Sequence, residues 1–162
     1  MGDTIDGEQY RKVLGRYPTG VTLVTSADQD GPLAIVIGSF VSVSLAPPLV
    51  GFLPGKTSST WPRIEATGVF CVNVLADHQE NLANQFFRKD GDPWADTPWN
   101  PAASGAPIIE GCVAGIDCVI AEITEAGDHW FVMGEVTGVE YADEGSPLVF
   151  LGGKYGSFED AD

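Results

Sequence analysis

Positive charge is scarce in this 162-residue sequence: eight Lys and Arg stand against 23 Asp and Glu, a formal net charge of −15. A field of that sign repels phosphate backbones and anionic lipid surfaces, so nucleic acid and membrane partners are not expected. No apolar run reaches the roughly 18 residues of a membrane span. The opening segment Met1–Glu8 is polar and acidic, so no signal peptide is expected either. Cysteines number three (Cys71, Cys112, Cys118), an odd count set among apolar neighbours. That pattern predicts buried, reduced thiols and a cytoplasmic protein rather than a disulfide framework. With only two histidines and no His/Cys cluster at ligand spacing, no metal site is expected. A Gly-x-Ser-x-Gly nucleophile elbow is also missing. The segment Gly51-Phe52-Leu53-Pro54-Gly55-Lys56-Thr57 falls short of a phosphate loop, with three residues between its glycines instead of four.

What the chain does have is punctuation. Its 20 Gly and 11 Pro separate short apolar runs, the pattern of many strands and turns. Asp6 is placed to cap a helix over Gly7–Arg16, with Tyr10, Val13, Leu14 and Tyr17 along one face. Strands are predicted over Gly20–Ser26 and, after an Asp30-Gly31 turn, Leu33–Ser44. Ala46-Pro47-Pro48 interrupts before a strand at Leu49–Leu53. A helix begins after Lys56–Thr60, buries Trp61 and Ile64 and stops at Gly68. Val69–Leu75 is a strand. Asp77 and Glu80 have capping-box spacing for a helix that turns Leu82, Ala83, Phe86 and Phe87 inward and ends near Gly91. The irregular stretch Asp90–Gly111 carries four prolines and two tryptophans, a length that suggests a functional or lid-like loop. Strands resume at Val113–Thr124, Trp130–Tyr141 and Pro147–Leu151. Strands dominate and do not alternate regularly with helices. The expected fold class is mainly β: a small antiparallel barrel with short peripheral helices, as one domain over residues 1–162.

Two segments carry candidate chemistry. The hydroxyl run Thr57-Ser58-Ser59-Thr60 beside Lys56, at a helix start, reads equally as a phosphate cradle or as an ordinary cap. Gly127-Asp128-His129 reads as a tight turn that leaves its histidine half-exposed. Phe86, Phe87, Trp94 and Trp99 suit core packing or a flat aromatic ligand.

Several segments in collinear order carry a resemblance. They are Tyr10-Arg11-Lys12-Val13-Leu14-Gly15-Arg16-Tyr17-Pro18-Thr19-Gly20-Val21-Thr22, Ser39–Val50, Phe70-Cys71-Val72-Asn73-Val74-Leu75 with Gln79, Gly127-Asp128-His129, Gly134-Glu135-Val136 and Pro147-Leu148-Val149. Together they resemble the flavin reductase-like family with an FMN-binding split barrel, most of all the reductase components of two-component flavin-dependent monooxygenases.

The resemblance implies a homodimeric split β-barrel that uses NADH or NADPH to reduce FMN or FAD and releases the reduced flavin to a partner monooxygenase. It puts Pro32, Leu33, Ala34, Ile35 and Val36, with Gly38 and Ser39, against the flavin ring and ribityl chain. Leu53, Pro54 and Gly55 form the next wall, Ser59 and Thr60 hold the phosphate, and Gln85 and Phe86 complete the pocket. His129 falls beside the nicotinamide, together with Phe150, Leu151, Gly152 and Gly153 ahead of Tyr155. Hydride would pass from nicotinamide C4 to flavin N5, with His129 orienting rather than shuttling a proton. Two departures stand out. Where many members carry polar side chains this chain reads Val36-Ile37-Gly38, so backbone groups must serve there; and a frequent basic residue is replaced by Gly152. The competing readings are an electron carrier that retains its flavin and a non-catalytic split-barrel protein that binds another flat cofactor.

Overall fold

The computed structural model describes residues 4–88 and 91–162. Residues 1–3 of the polar amino-terminal segment, and Asp90 at the start of the expected irregular stretch, lie outside the described residues.

Helix α1 (Gly7–Leu14) is capped as its sequence dictates, the Asp6 carboxylate accepting from the N–H groups of Glu8 and Gln9. It ends two residues earlier than expected, and its Tyr10, Val13 and Leu14 face is exposed, as is Tyr17 beyond it. After the short β1 (Thr19–Gly20) come β2 (Thr22–Asp28) and β3 (Gly31–Ile37). Their turn is closed by the Asp28 carboxylate accepting from Asp30 N–H at 2.9 Å, with Gly31 at φ 119°. The single long strand expected over Leu33–Ser44 is two strands. Gly38-Ser39-Phe40 breaks it before β4 (Val41–Leu45), which turns into β5 (Pro48–Phe52). Next follow α2 (Trp61–Thr67), β6 (Val69–Val74), a single 3-10 turn at Asp77–Gln79 and α3 (Glu80–Arg88). The cap of this last unit is not Asp77 with Glu80. Gln79 Oε1 instead accepts from Ala76 N–H at 2.9 Å, one residue upstream of the expected box.

The expected lid-like loop holds a hairpin, β7 (Trp99–Pro101) and β8 (Pro107–Ile109), pinned to the body. The pin is buried Asn73, whose amide donates to the carbonyls of Leu23 and Pro107 and to Thr25 Oγ1, while its Oδ1 accepts from Ile109 N–H at 2.8 Å. Every polar atom of that amide is thereby satisfied inside the protein, which is what makes its burial tolerable. Long strands β9 (Ala114–Ala126) and β10 (His129–Tyr141) form a hairpin, and β11 (Leu148–Leu151) pairs with β12 (Lys154–Ser157), a strand that the sequence pattern did not signal.

Seven strands form one antiparallel sheet in the order β3-β2-β6-β9-β10-β5-β4. The sheet curls until its ends meet: Leu33 and Ile37 of β3 share one core with Val50 and Phe52 of β5, joined by Val24, Phe70, Val72 and Val132. Among the described residues no ladder closes it, and Ser39 Oγ bridges the split instead, accepting from Leu53 N–H at 2.9 Å. The mainly β split barrel with short peripheral helices is therefore the observed architecture. A second core lies outside β2, where Val21 and Leu23 meet Ala83 and Phe86 of α3, Ile109 and Leu148. Period-2 alternation explains the division: successive residues of β2 feed opposite sides.

Candidate functional site

Among the described residues the edge strand β3 has a strand neighbour on one side only, so its outer edge presents backbone N–H and C=O groups that no described strand takes up. Two shallow grooves lie along it. One, of about 170 Å³, is lined by Ala34, Ile35, Val36, Ser58, Thr60, Phe86 and Phe87. The other, of about 200 Å³, is lined by Thr19, Gly20, Val21, Val36, Gly38, Phe87, Phe150 and Tyr155. Val36 and Phe87 belong to both, so the grooves are two halves of one apolar surface divided by the Phe87 ring.

Adjacent phenylalanines of α3 have opposite roles. Phe86 is buried edge-on against Trp94, 4.9 Å between centroids, and Trp94 in turn meets Trp99 at 6.2 Å. Phe87 is 73% exposed, and its expected inward position is thus corrected. Consecutive residues of an α-helix point about 100° apart, and here α3 is turned so that Phe86 meets the core while Phe87 faces the groove. Across the groove, Phe150 and Tyr155 pack edge to face at 5.3 Å, brought opposite one another by the β11–β12 register.

Other residues expected at a site are distributed as follows. Leu33 is buried in the barrel core and faces no groove; Pro32 stands opposite Ala27 at the start of the hairpin. Gln85 donates to the Pro93 carbonyl at 3.0 Å and anchors the segment after α3. Thr60 lines the first groove and its hydroxyl caps nothing; α2 is capped instead by Ser58 Oγ, which accepts from Trp61 N–H at 3.1 Å. Ser59 is exposed and lines neither groove. Lys56 is drawn away from any cradle, its ammonium 2.9 Å from Glu125 and 4.9 Å from the centroid of the Trp130 ring.

His129 stands beside the Leu53-Pro54-Gly55 wall. Gly55 and His129 form an isolated antiparallel bridge, the Lys56 N–H donates to the Asp128 carbonyl at 2.9 Å, and a Cβ on Gly55 would come within 3.8 Å of His129 Nε2. The Asp128 carboxyl is held below the usual range by its hydrogen bond with His129. An ionised carboxylate only accepts, so His129 carries a proton on Nδ1 and leaves Nε2 available. Leu151, Gly152 and Gly153 face another way, into a cleft against α1. Phe87, read from the sequence as core or as a wall for a flat ligand, and Ser58, from the hydroxyl run, both line the grooves; Tyr155, Thr19, Gly20 and Val21 line them without having been singled out for a site.

An antiparallel split barrel with an apolar, aromatic-walled edge is suited to a flat heteroaromatic ring. The residues fit such a ring: apolar walls meet its faces, and the free backbone edge of β3 offers hydrogen bonds to its polar rim. Comparison with known proteins gives the same class. The family model described as "Flavin reductase like domain" matches residues 14–159. A flavin reductase of Pseudomonas putida is 48% identical over 155 residues, covering 95% of this chain and 91% of that protein. The reductase subunit HsaB of a flavin-dependent monooxygenase from Rhodococcus jostii (strain RHA1) is 41% identical over 157 residues, covering 97% and 80%. The solved structure of the NADH:FAD oxidoreductase SgcE6 from Streptomyces globisporus C-1027, in complex with NAD and FAD fragments, superposes with a TM-score of 0.91 at 37% identity, covering 99% of this chain and 100% of that one. The chain belongs to the flavin reductase-like family of oxidoreductases. Among the described residues, no helix is long and apolar enough to cross a membrane.

Proposed function

We propose that this chain oxidises NADH or NADPH, reduces FMN or FAD, and releases the reduced flavin to a separate monooxygenase component. The observation that carries the reading is the pair of grooves sharing Val36 and Phe87, in a chain with the stated likeness to a reductase whose structure holds NAD and FAD fragments.

A bound flavin would supply the redox chemistry as hydride acceptor, and a reduced nicotinamide would be the donor. The protein's work is binding and orientation. Ala34 and Val36 offer an apolar seat, the outer edge of β3 offers backbone hydrogen bonds, and Phe87 offers a ring face. Ser59 and Thr60 supply hydroxyls for a phosphate. His129, with its Nδ1 proton held by Asp128, presents Nε2 as a polar contact for the nicotinamide amide group. Val36, Ile37 and Gly38 give the ring no side-chain hydrogen bond, which favours a flavin that exchanges over one that stays.

The same reading takes a homodimer as the working form. Even taken together, the two grooves reach only the low end of the roughly 300–1,000 Å³ of a ligand site. The chain also exposes the Tyr10, Val13, Leu14 face of α1 and Val41, Val43 and Leu45 of β4. A second copy that covered such surface would supply the missing wall.

The test is NADH oxidation followed at increasing free FMN or FAD, with light scattering on the same sample. Turnover that rises with free flavin in a particle of two chains is the expected result. A yellow protein that keeps its flavin through desalting and oxidises little NADH would replace this reading with the electron carrier.

A further inference from the structure

Near its turn the β9–β10 hairpin outruns the sheet that carries it. β6 pairs with β9 only over Ala114–Val119, and β5 pairs with β10 only over Val132–Glu135. From Ile123 and Phe131 out to the turn, each strand therefore has only the other as its strand partner among the described residues. A two-stranded ribbon is marginal in water by itself. His129 sits at the end of this arm, opposite Ala126. What holds the arm to the body is the segment that follows β5. Trp130 N–H donates to the Pro54 carbonyl at 3.0 Å, Lys56 N–H donates to the Asp128 carbonyl at 2.9 Å, and Gly55 bridges His129.

Lys56 adds a second attachment through its side chain. Its ammonium lies 2.9 Å from Glu125 Oε1 and 4.9 Å from the centroid of the Trp130 ring. Glu125 and Trp130 are register partners, one on each strand, next to the His129–Ala126 pair. A single side chain thus grips both strands of the arm. It is only 33% exposed, so packing as well as charge fixes its place. Backbone bonds along one line leave rotation about that line free, and an attachment off the line resists it. The same segment runs on to Ser58, which caps α2, and to Thr60, which lines the first groove. Lys56 therefore joins the element that carries His129 to the one that borders the groove. We infer that Lys56 is a positioning residue: with Glu125 and Trp130 it locks the β9–β10 arm, so that His129 keeps a fixed place beside the Leu53-Pro54-Gly55 wall. It acts through His129 and not on either cofactor. The consequence for catalysis rests on the reductase reading; the clamp itself does not.

Three variants of the full chain test it. Lys56→Met keeps a flexible apolar stem over Trp130 and removes the charge, Lys56→Arg keeps the charge, and the exchanged pair Lys56→Glu/Glu125→Lys rebuilds the ion pair in reverse. Hydrogen exchange without cofactor reads the clamp at the amides of residue 56 and Trp130, the two that hold the arm. Their protection should fall about three- to thirtyfold in Lys56→Met, the range of one exposed ion pair and one cation–π contact together. Protection should return in Lys56→Arg and in part in the exchanged pair. At saturating FMN, kcat/KM for NADH should fall about three- to tenfold in Lys56→Met and recover in the same two variants, with FMN and riboflavin affinities as in wild type. Should Lys56→Met fail to fold, Glu125→Gln is read in its place. Unchanged protection at both amides overturns the clamp. Protection lost throughout β2 and β6, with both flavins weakened, overturns it in favour of a general structural role. Weaker FMN with riboflavin unaffected overturns it in favour of a phosphate contact by Lys56, which the exchanged pair could not rescue. Reduced protection with unaltered NADH kinetics overturns the positioning role. Wild type without NADH–flavin turnover would sink the reductase reading, while the exchange data would still decide the clamp.

Discussion

Oδ1 of Asp128 stands 2.7 Å from Nδ1 of His129, and the backbone carbonyl of that same aspartate accepts from Lys56 N–H at 2.9 Å. One residue therefore sets the tautomer of the histidine and fixes the strand that carries it against the Leu53–Gly55 wall. Replacing His129 with Ala removes a polar contact to the nicotinamide, and kcat/KM for NADH should fall roughly ten- to a hundredfold with flavin affinity unchanged. Asp128→Ala leaves the imidazole free to turn and to change tautomer, so its loss should be smaller and in the same direction. Steady-state kinetics at saturating flavin give both values. Unaltered NADH kinetics in His129→Ala with unaltered melting would remove His129 from the site.

The two adjacent phenylalanines of α3 separate stability from binding. Phe86→Ala should cost about 3–5 kcal/mol of stability, as large-to-small changes in a packed core do. Phe87→Ala, at an exposed position, should change stability by under about 0.5 kcal/mol. It should nevertheless weaken flavin about two- to tenfold through loss of an aromatic contact. Urea unfolding and fluorescence titration of each variant check the pair. Equal flavin affinity in Phe87→Ala and wild type would take that ring out of the site.

The difference between these two residues shows what could be read beforehand and what could not. Apolar alternation and Gly/Pro punctuation located most of the strands, because a half-buried strand writes its period of two directly into the chain. Hydrophobicity cannot tell which of two consecutive phenylalanines is buried; that depends on where α3 meets β2 and Trp94. The hairpin at Trp99–Ile109 was hidden by its own prolines, Pro101 and Pro107, and it is held by Asn73, well upstream in sequence. Strand β12 is four residues with a central glycine, and only its register with β11 reveals it. Ser59, Thr60 and His129 lay in segments the residues themselves marked as candidates, but their roles, and that of Gly55, came from a resemblance. The commitment of Lys56 to Glu125 and of Ser58 to the cap of α2 required coordinates, since both are long- or medium-range contacts.

Asn73 supplies a stability test away from the site. Asn73→Ala leaves the Ile109 N–H and the Pro107 carbonyl to find new partners in a buried place, at a cost of about 1–3 kcal/mol for each group left unsatisfied. A fall in melting temperature on the order of 5 °C or more is expected for a domain of this size. Hydrogen exchange should report it first at Ile109. Unchanged protection there would show that the hairpin is held by Trp94 and Trp99 packing alone.

The thiols give a pH dependence with a definite sign. Burial pushes Cys71, Cys112 and Cys118 up to about 12 from 9.0, with the charge of nearby Asp117 adding to the effect at Cys71 and Cys118. Between those values the unfolded chain has released its thiol protons and the native chain has kept them. The native state therefore binds more protons, and stability falls as pH rises through that window. Urea midpoints measured across it should decline less steeply in a variant with all three cysteines replaced by Ala. Native protein should also resist iodoacetamide at about pH 8 and react only when unfolded, because the thiolate is the nucleophile.

Ser58 and Thr60 divide capping from binding, and that division makes the phosphate question testable. Ser58 Oγ already caps α2, whereas the Thr60 hydroxyl caps nothing and borders the groove; Ser59 is exposed beside it. A Ser59→Ala/Thr60→Ala variant should therefore keep the stability of wild type. If these hydroxyls meet the flavin phosphate, FMN should weaken about tenfold or more, since each charge-assisted hydrogen bond contributes about 1.5–3 kcal/mol. Riboflavin, which has the same ring and no phosphate, should bind the variant and the wild type alike. Fluorescence titration with both flavins reads the difference directly. Equal weakening of FMN and riboflavin would mean that the segment shapes the groove for the ring and leaves the phosphate to water.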